Sequence, residues 1–164
     1  MRVAVVDSSF LINLTHLNLV HELSWFFDRV YVPRAVHKEV NRKGRFRYRL
    51  NKLYSMGVLR RCTVANETNV SLLLAELDLG EAEAITQAQE NNAPFFVGDE
   101  KRARDIARNL GQKPVGTLAI LARLELDGRA PQITQMVGKL RKDLQFRVSD
   151  RIVRQAIEAA AEPI

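Results

Sequence analysis

Val3-Ala4-Val5-Val6-Asp7-Ser8-Ser9-Phe10-Leu11-Ile12 decides how this chain is read. Four apolar, strand-forming residues stop at an aspartate. Two serines follow, then an apolar segment with helical character. The run predicts a strand buried on both faces, with Asp7 at its carboxyl end, opening into a helix from Ser8 to about Leu17. In open α/β sheets, ligands bind in the crevice beyond the carboxyl ends of the strands. Asp7 is there either as a helix cap or as a reagent, and this stretch alone leaves both open. Ser8 or Ser9 is expected to cap the helix, which would free Asp7.

The same pattern recurs downstream. Arg29-Val30-Tyr31-Val32 reads as a second strand, with Pro33 in the first turn of the helix after it. Val58–Val64 reads as a short strand. Pro94-Phe95-Phe96-Val97 is another buried strand, and it ends in Gly98-Asp99-Glu100 before a helix that stops at Gly111. Lys113-Pro114-Val115 is a last strand, and Gly116-Thr117 leads into the helix Leu118–Leu126. Strands alternating with helices predict an α/β sandwich around a mostly parallel sheet. Two further helices, Pro131–Leu144 and Asp150–Ala160, follow Asp127-Gly128, the second capped by Ser149. Trp25, Phe26 and Phe27 are expected in core or subdomain packing.

With 164 residues the chain suffices for one domain with a real core. One cysteine, Cys62, excludes an intrachain disulfide and fits a reducing, cytoplasmic setting. The N-terminus enters a core strand with no leader pattern. No apolar run approaches the roughly 18 residues of a membrane span. The net charge of +6 favours a polyanionic partner. His16 and His21 have no ligand partner at metal-binding spacing, so surface or partly packed roles are expected for them.

Four acids stand out by position. Asp7 and Asp99 end strands. Glu39 falls three and four residues after Val36 and Ala35, beside the apolar face of its helix, while His37 and Lys38 point away. Glu81 lies three and four before Ala84 and Ile85, on the buried face of the helix that runs from Leu79 to about Glu90, and Glu83 lies off that face. Dipole and capping chemistry alone would also account for Glu81, and a surface ion pair for Glu39. Taken together, the four would crowd one sheet edge. Like charges so placed raise each other's pKa, and a hard divalent cation relieves the repulsion. Oxygen-only ligands select Mg2+ or Mn2+ over zinc.

Between Asn41 and Arg61 there is no acid, whereas Arg42, Lys43, Arg45, Arg47, Arg49, Lys52, Arg60 and Arg61 are all basic. Phe46, Tyr48 and Tyr54 are interleaved. Such a segment is either a solvated face with its aromatics turned inward or a phosphate-binding surface with stacking side chains. Beside an acidic metal site, the matching substrate is a phosphodiester. An aspartate-nucleophile phosphatase would need a second aspartate at position 9, where Ser9 stands. No glycine-rich phosphate loop follows any strand.

Five stretches in this order resemble the PIN-domain nucleases. They are Val5-Val6-Asp7-Ser8-Ser9, Pro33-Arg34-Ala35-Val36-His37-Lys38-Glu39-Val40, Leu79-Gly80-Glu81-Ala82-Glu83-Ala84-Ile85, Gly98-Asp99-Glu100-Lys101-Arg102-Ala103-Arg104 and Val115-Gly116-Thr117-Leu118. The chain looks most like the VapC-like prokaryotic branch, with its Asp-Ser-Ser start and C-terminal helical extension. The resemblance implies a three-layer α/β/α fold, with a nuclease domain over 1–128 and a helical extension over 129–164 packed on it. It implies an Mg2+ or Mn2+ site of Asp7, Glu39, Glu81 and Asp99, with Glu100 sharing or taking the fourth place. Ser8 or Thr117 would be accessory near metal or phosphate, and Arg42, Lys43, Arg45 and Arg47 would hold the strand. It further implies endonucleolytic RNA cleavage leaving 5′-phosphates, a toxin role opposed by a small antitoxin, and a homodimer. The alternative is a catalytically inactive module on the same fold that binds RNA or protein.

Overall fold

The computed structural model describes residues 1–164. Strand β1 (Val3–Val6) is the middle of a five-stranded sheet, and all four of its residues are buried. Successive side chains of a strand point to opposite faces. Val3 and Val5 accordingly join one apolar cluster, and Ala4 and Val6 the other. This two-sided burial is what the uninterrupted apolar run encodes.

The remaining strands are β2 (Arg29–Pro33), β3 (Arg60–Cys62), β4 (Phe95–Val97) and β5 (Lys113–Val115). Their spatial order is β3-β2-β1-β4-β5 and every pairing is parallel. Val3 stands opposite Arg29, and Ala4 opposite Phe95. All five carboxyl ends therefore meet at one edge. The Asp7 amide donates to Val97 O at 2.9 Å and the Gly98 amide to Val115 O at 2.9 Å, so the residues leaving β1, β4 and β5 lie side by side. The chain winds outward from β1 through β2 to β3, crosses over to β4, and winds outward again to β5. The point where this winding reverses lies between β1 and β4.

Ten helices surround the sheet: α1 (Ser8–His16), α2 (Leu23–Phe26), α3 (Arg34–Arg42), α4 (Arg47–Ser55), α5 (Glu67–Leu73), α6 (Leu79–Glu90), α7 (Lys101–Asn109), α8 (Thr117–Leu126), α9 (Ile133–Leu144) and α10 (Asp150–Ala159). Residues of α5, α6 and α7, among them Val70, Ile85 and Ala103, cover one face. The other face carries α1, α8 and the C-terminal helices, with Phe10, Leu14, Leu121, Leu140 and Val153 in one continuous core. The fold is a three-layer α/β/α sandwich. No helix is long and apolar enough to cross a membrane.

Several local expectations are corrected. Pro33 precedes α3 as its cap residue instead of opening its first turn. Phe26 and Phe27 are in the core, whereas Trp25 is 54% exposed and packs at the surface. Its indole Nε1 donates to Asp127 at 2.9 Å and the Arg129 guanidinium stacks 4.4 Å from its ring, tying this region to the start of the extension. His37 does not point away: it bonds Tyr54 Oη at 3.1 Å and Asn41 Nδ2 at 3.1 Å. Cys62, where the strand-like context predicts a buried thiol, is half-buried, and burial together with Glu83 and Glu90 pushes its thiol up to about 12.

Candidate active site

Asp7 lies where β1 ends and α1 begins, beside the reversal of the sheet's winding. There the two flanking connections diverge and leave a crevice. Asp7, and neither serine, is the N-cap of α1, its Oδ1 accepting from the Phe10 amide at 2.8 Å. Cap and reagent are therefore compatible here, because one oxygen is used for the helix and Oδ2 faces Gly98. A methyl group at position 98 would come within 2.3 Å of Asp7 Oδ2 and 2.8 Å of the Phe96 ring, so only glycine fits.

Asp99 follows Gly98 and is held from the β5 side. Its Oδ1 accepts from the Thr117 amide at 2.7 Å, and its Oδ2 from Thr117 Oγ1 at 2.6 Å and Asn13 Nδ2 at 3.1 Å. Thr117 is fully buried, and its hydroxyl is engaged by Asp99. Ser8 is also buried, and its Oγ has no hydrogen-bond partner at all. An orphaned buried hydroxyl is costly, so one beside this edge marks unfilled polar chemistry.

The first turn of α6 closes the edge from the other face, where a methyl group at Gly80 would lie 3.1 Å from Ser8 Oγ. Glu81 forms a capping box with Asp78: the Glu81 amide donates to Asp78 Oδ1 at 2.8 Å, and Glu81 Oε2 accepts from the Asp78 amide at 3.1 Å. Glu83, off this face, accepts from the Ala35 amide at 2.7 Å and so caps α3. Glu39 is exposed, not set against the buried face of α3. Glu100 is also exposed and caps α7 through the Arg102 amide at 3.2 Å.

Electrostatics join these acids. Burial lifts the Asp7 carboxyl well above its ordinary value, and Asp99 and Glu81 push it the same way against the amides of Phe10 and Asp99. Burial also raises Asp99, in spite of Thr117, Arg104 and Asn13. Burial raises Glu81 as well, and Asp78, Glu100 and Glu39 add to the effect. All five acids singled out in the sequence thus belong to one field of mutual repulsion. As folded, however, no three Asp, Glu, His or Cys side chains converge closely enough to grip a metal ion by themselves.

Sequence reasoning overlooked Asn13 and Arg104. Asn13 is buried in an otherwise apolar helix and bonds both Asp99 and Thr117. A lone amide inside the run Phe10-Leu11-Ile12-Asn13-Leu14 was the signal for it. The basic segment is only partly free. Phe46 is buried, with its ring 6.4 Å from His16 at the far end of α1 from Asp7, whereas Tyr48 is 80% exposed.

Acids gathered at the reversal point of a parallel sheet, with helices on both faces, define a nuclease-type α/β fold. A family profile described as a PIN domain (DUF3368) matches residues 3–162, and the chain belongs to that family. PIN domains are generally nucleases and typically use divalent metal ions. No curated protein matches the chain.

Proposed function

We propose that the protein is a metal-dependent endoribonuclease, and specifically a VapC-like toxin of a toxin–antitoxin pair. The observation that carries this reading is Asp7: a buried carboxylate at the winding reversal, repelled by Asp99 and Glu81, beside a Ser8 hydroxyl with no partner. These donors fit Mg2+ or Mn2+ in kind, being all oxygen, and in charge. The lack of three converging side chains is compatible with Mg2+, which keeps several waters and binds through one or two carboxylates plus substrate phosphate.

In this reading Asp7, Glu39, Glu81 and Asp99 would surround the ion, one or two of them directly and the rest through its waters, with Glu100 at the margin. A bound divalent cation supplies a more acidic water and stabilises charge developing on phosphate oxygens. The chain's own residues pre-arrange the site. The Phe10 amide orients Asp7, and Thr117 and Asn13 fix the Asp99 rotamer. Arg42, Lys43, Arg45 and Arg47 hold the RNA backbone, and exposed Tyr48 offers a face for a base. A small antitoxin and a second copy of the chain are the proposed partners. Leu72, Leu74 and Leu79, exposed around α5 and the start of α6, support a homodimer surface. The cytoplasm is the proposed compartment.

One observation favours a second reading, a catalytically inactive RNA- or protein-binding module. Both Asp99 oxygens are already engaged by Thr117 and Asn13. Sequencing cleavage ends from a cellular RNA pool treated with Mn2+ and protein separates the two. New 5′-phosphate ends with the wild type, absent with Asp7→Asn, support the nuclease. Equal cleavage by the variant contradicts it.

A further inference from the structure

On the β5 side of the acids a groove of about 550 Å3 runs from Asp99 to the start of α10. Its walls include Arg104, Gly116, Phe146, Arg147 and Ser149. Arg104 Nε is buried without a hydrogen-bond partner. On the same helix Arg102 is paired with Glu76 and Arg108 with Asp105, whereas Arg104 is in no ion pair. A methyl group at Gly116 would lie 3.2 Å from Asp99 Oδ1 and 3.4 Å from Arg104 Nη1, so carboxylate and guanidinium border the same small gap. Arg147, exposed and free of any ion pair, faces the same groove. Ser149 caps α10 there, its Oγ accepting from the Ile152 amide at 3.4 Å, and adds the positive end of a ten-residue helix. Asp150, the acid in that first turn, is drawn off by Arg141 at 2.8 Å.

We propose that this groove is a backbone-phosphate subsite for single-stranded RNA, in which Arg104 and Arg147 bind a phosphate next to the one at the acidic edge. The inference rests on the ribonuclease reading for the identity of its ligand. A planar guanidinium free of any ion pair and bordering the groove offers the donors that phosphate oxygens match. The topology places this groove beyond β4 and β5, whereas the basic segment 42–47 follows α3 beyond β2. A strand leaving the carboxyl edge towards β5 would pass from the acids directly onto these two arginines. Half-buried Phe146 adds a ring along that path.

The test is fluorescence anisotropy of a fluorescein-labelled oligouridylate in EDTA, over a salt series. Without metal there is no turnover, so binding is read apart from cleavage. Each lost phosphate contact should reduce the slope of log K against log salt by about 0.7. Arg147→Ala and Arg104→Gln are each expected to weaken binding roughly 5- to 10-fold and to lower the slope by that amount. Arg147 is exposed, so its variant answers the question even if Arg104→Gln folds poorly. Unchanged slopes in Arg147→Ala, or no binding by the wild type, overturn the proposal. So does a hexaglutamate peptide that loses binding in Arg147→Ala while the RNA slope stays put, for then the groove serves a protein. An Arg147-dependent slope in a wild type that cuts no RNA with Mn2+ supports the groove and removes the nuclease reading alone.

Discussion

Asp7 caps α1 with one oxygen and leaves the other for the proposed metal, and the consequences can be separated. Asparagine caps a helix as well as aspartate does. Asp7→Asn therefore keeps the Phe10 bond and removes a charge repelled by Asp99 and Glu81. In EDTA near neutral pH the variant is expected to melt about 2–4 °C above the wild type. The sign follows from linkage. Folding raises the Asp7 pKa above its ordinary 3.8, so the metal-free wild type gains stability as pH falls through the raised value and loses it as pH rises. The gap to Asp7→Asn should therefore narrow on acidification towards about pH 4, and a gap that is flat with pH contradicts the assignment. Gly98→Ala tests the close approach on the other oxygen. With a methyl 2.3 Å from Asp7 Oδ2 and 2.8 Å from the Phe96 ring, it is expected to lose about 1–3 kcal/mol in urea unfolding.

Helix α6 carries two glutamates two residues apart with different work. Glu83 caps α3 through Ala35, and Glu81 faces the acids while closing its own capping box. Glu83→Gln is expected to cost about 1 kcal/mol of stability and to leave Mn2+ binding intact. Glu81→Gln should weaken Mn2+ binding at least tenfold in the same titration, and reversed outcomes would move the site to Glu83. Helical phase put Glu81 on the buried face and Glu83 off it, whereas both are half-buried in the structure, and what distinguishes them is the capping partner each finds. The strands were legible in the sequence, since both-face burial writes itself as an unbroken apolar run. Asn13 against Asp99, Arg104 against Gly116 and Trp25 against Arg129 were not, because each depends on how separate elements cross. Glu39 was misplaced because the phase of a nine-residue helix fixes a side chain's azimuth and not the depth of its neighbours.

Across the whole molecule, the C-terminal helices complete the core. Ile133, Met136, Val137, Leu140 and Val153 share one cluster with Phe10 and Leu121. A chain ended after Gly128 would expose that face, and it is expected to lose cooperative thermal unfolding by circular dichroism. Helix α10 and the segment before it form the far wall of the arginine groove, so this part of the chain contributes to the surface as well as to stability. The chain's net charge of +6 favours a polyanion, and the mutually repelling acids at the sheet edge favour a cation. The proposed nuclease activity depends on that cation. Calorimetric titration of Mn2+ into the wild type and Asp7→Asn near neutral pH measures its binding most directly. Saturable, site-specific binding by the wild type that is lost in the folded variant is the predicted result. A wild type that takes up no Mn2+, or a variant that binds it equally well, would contradict the account.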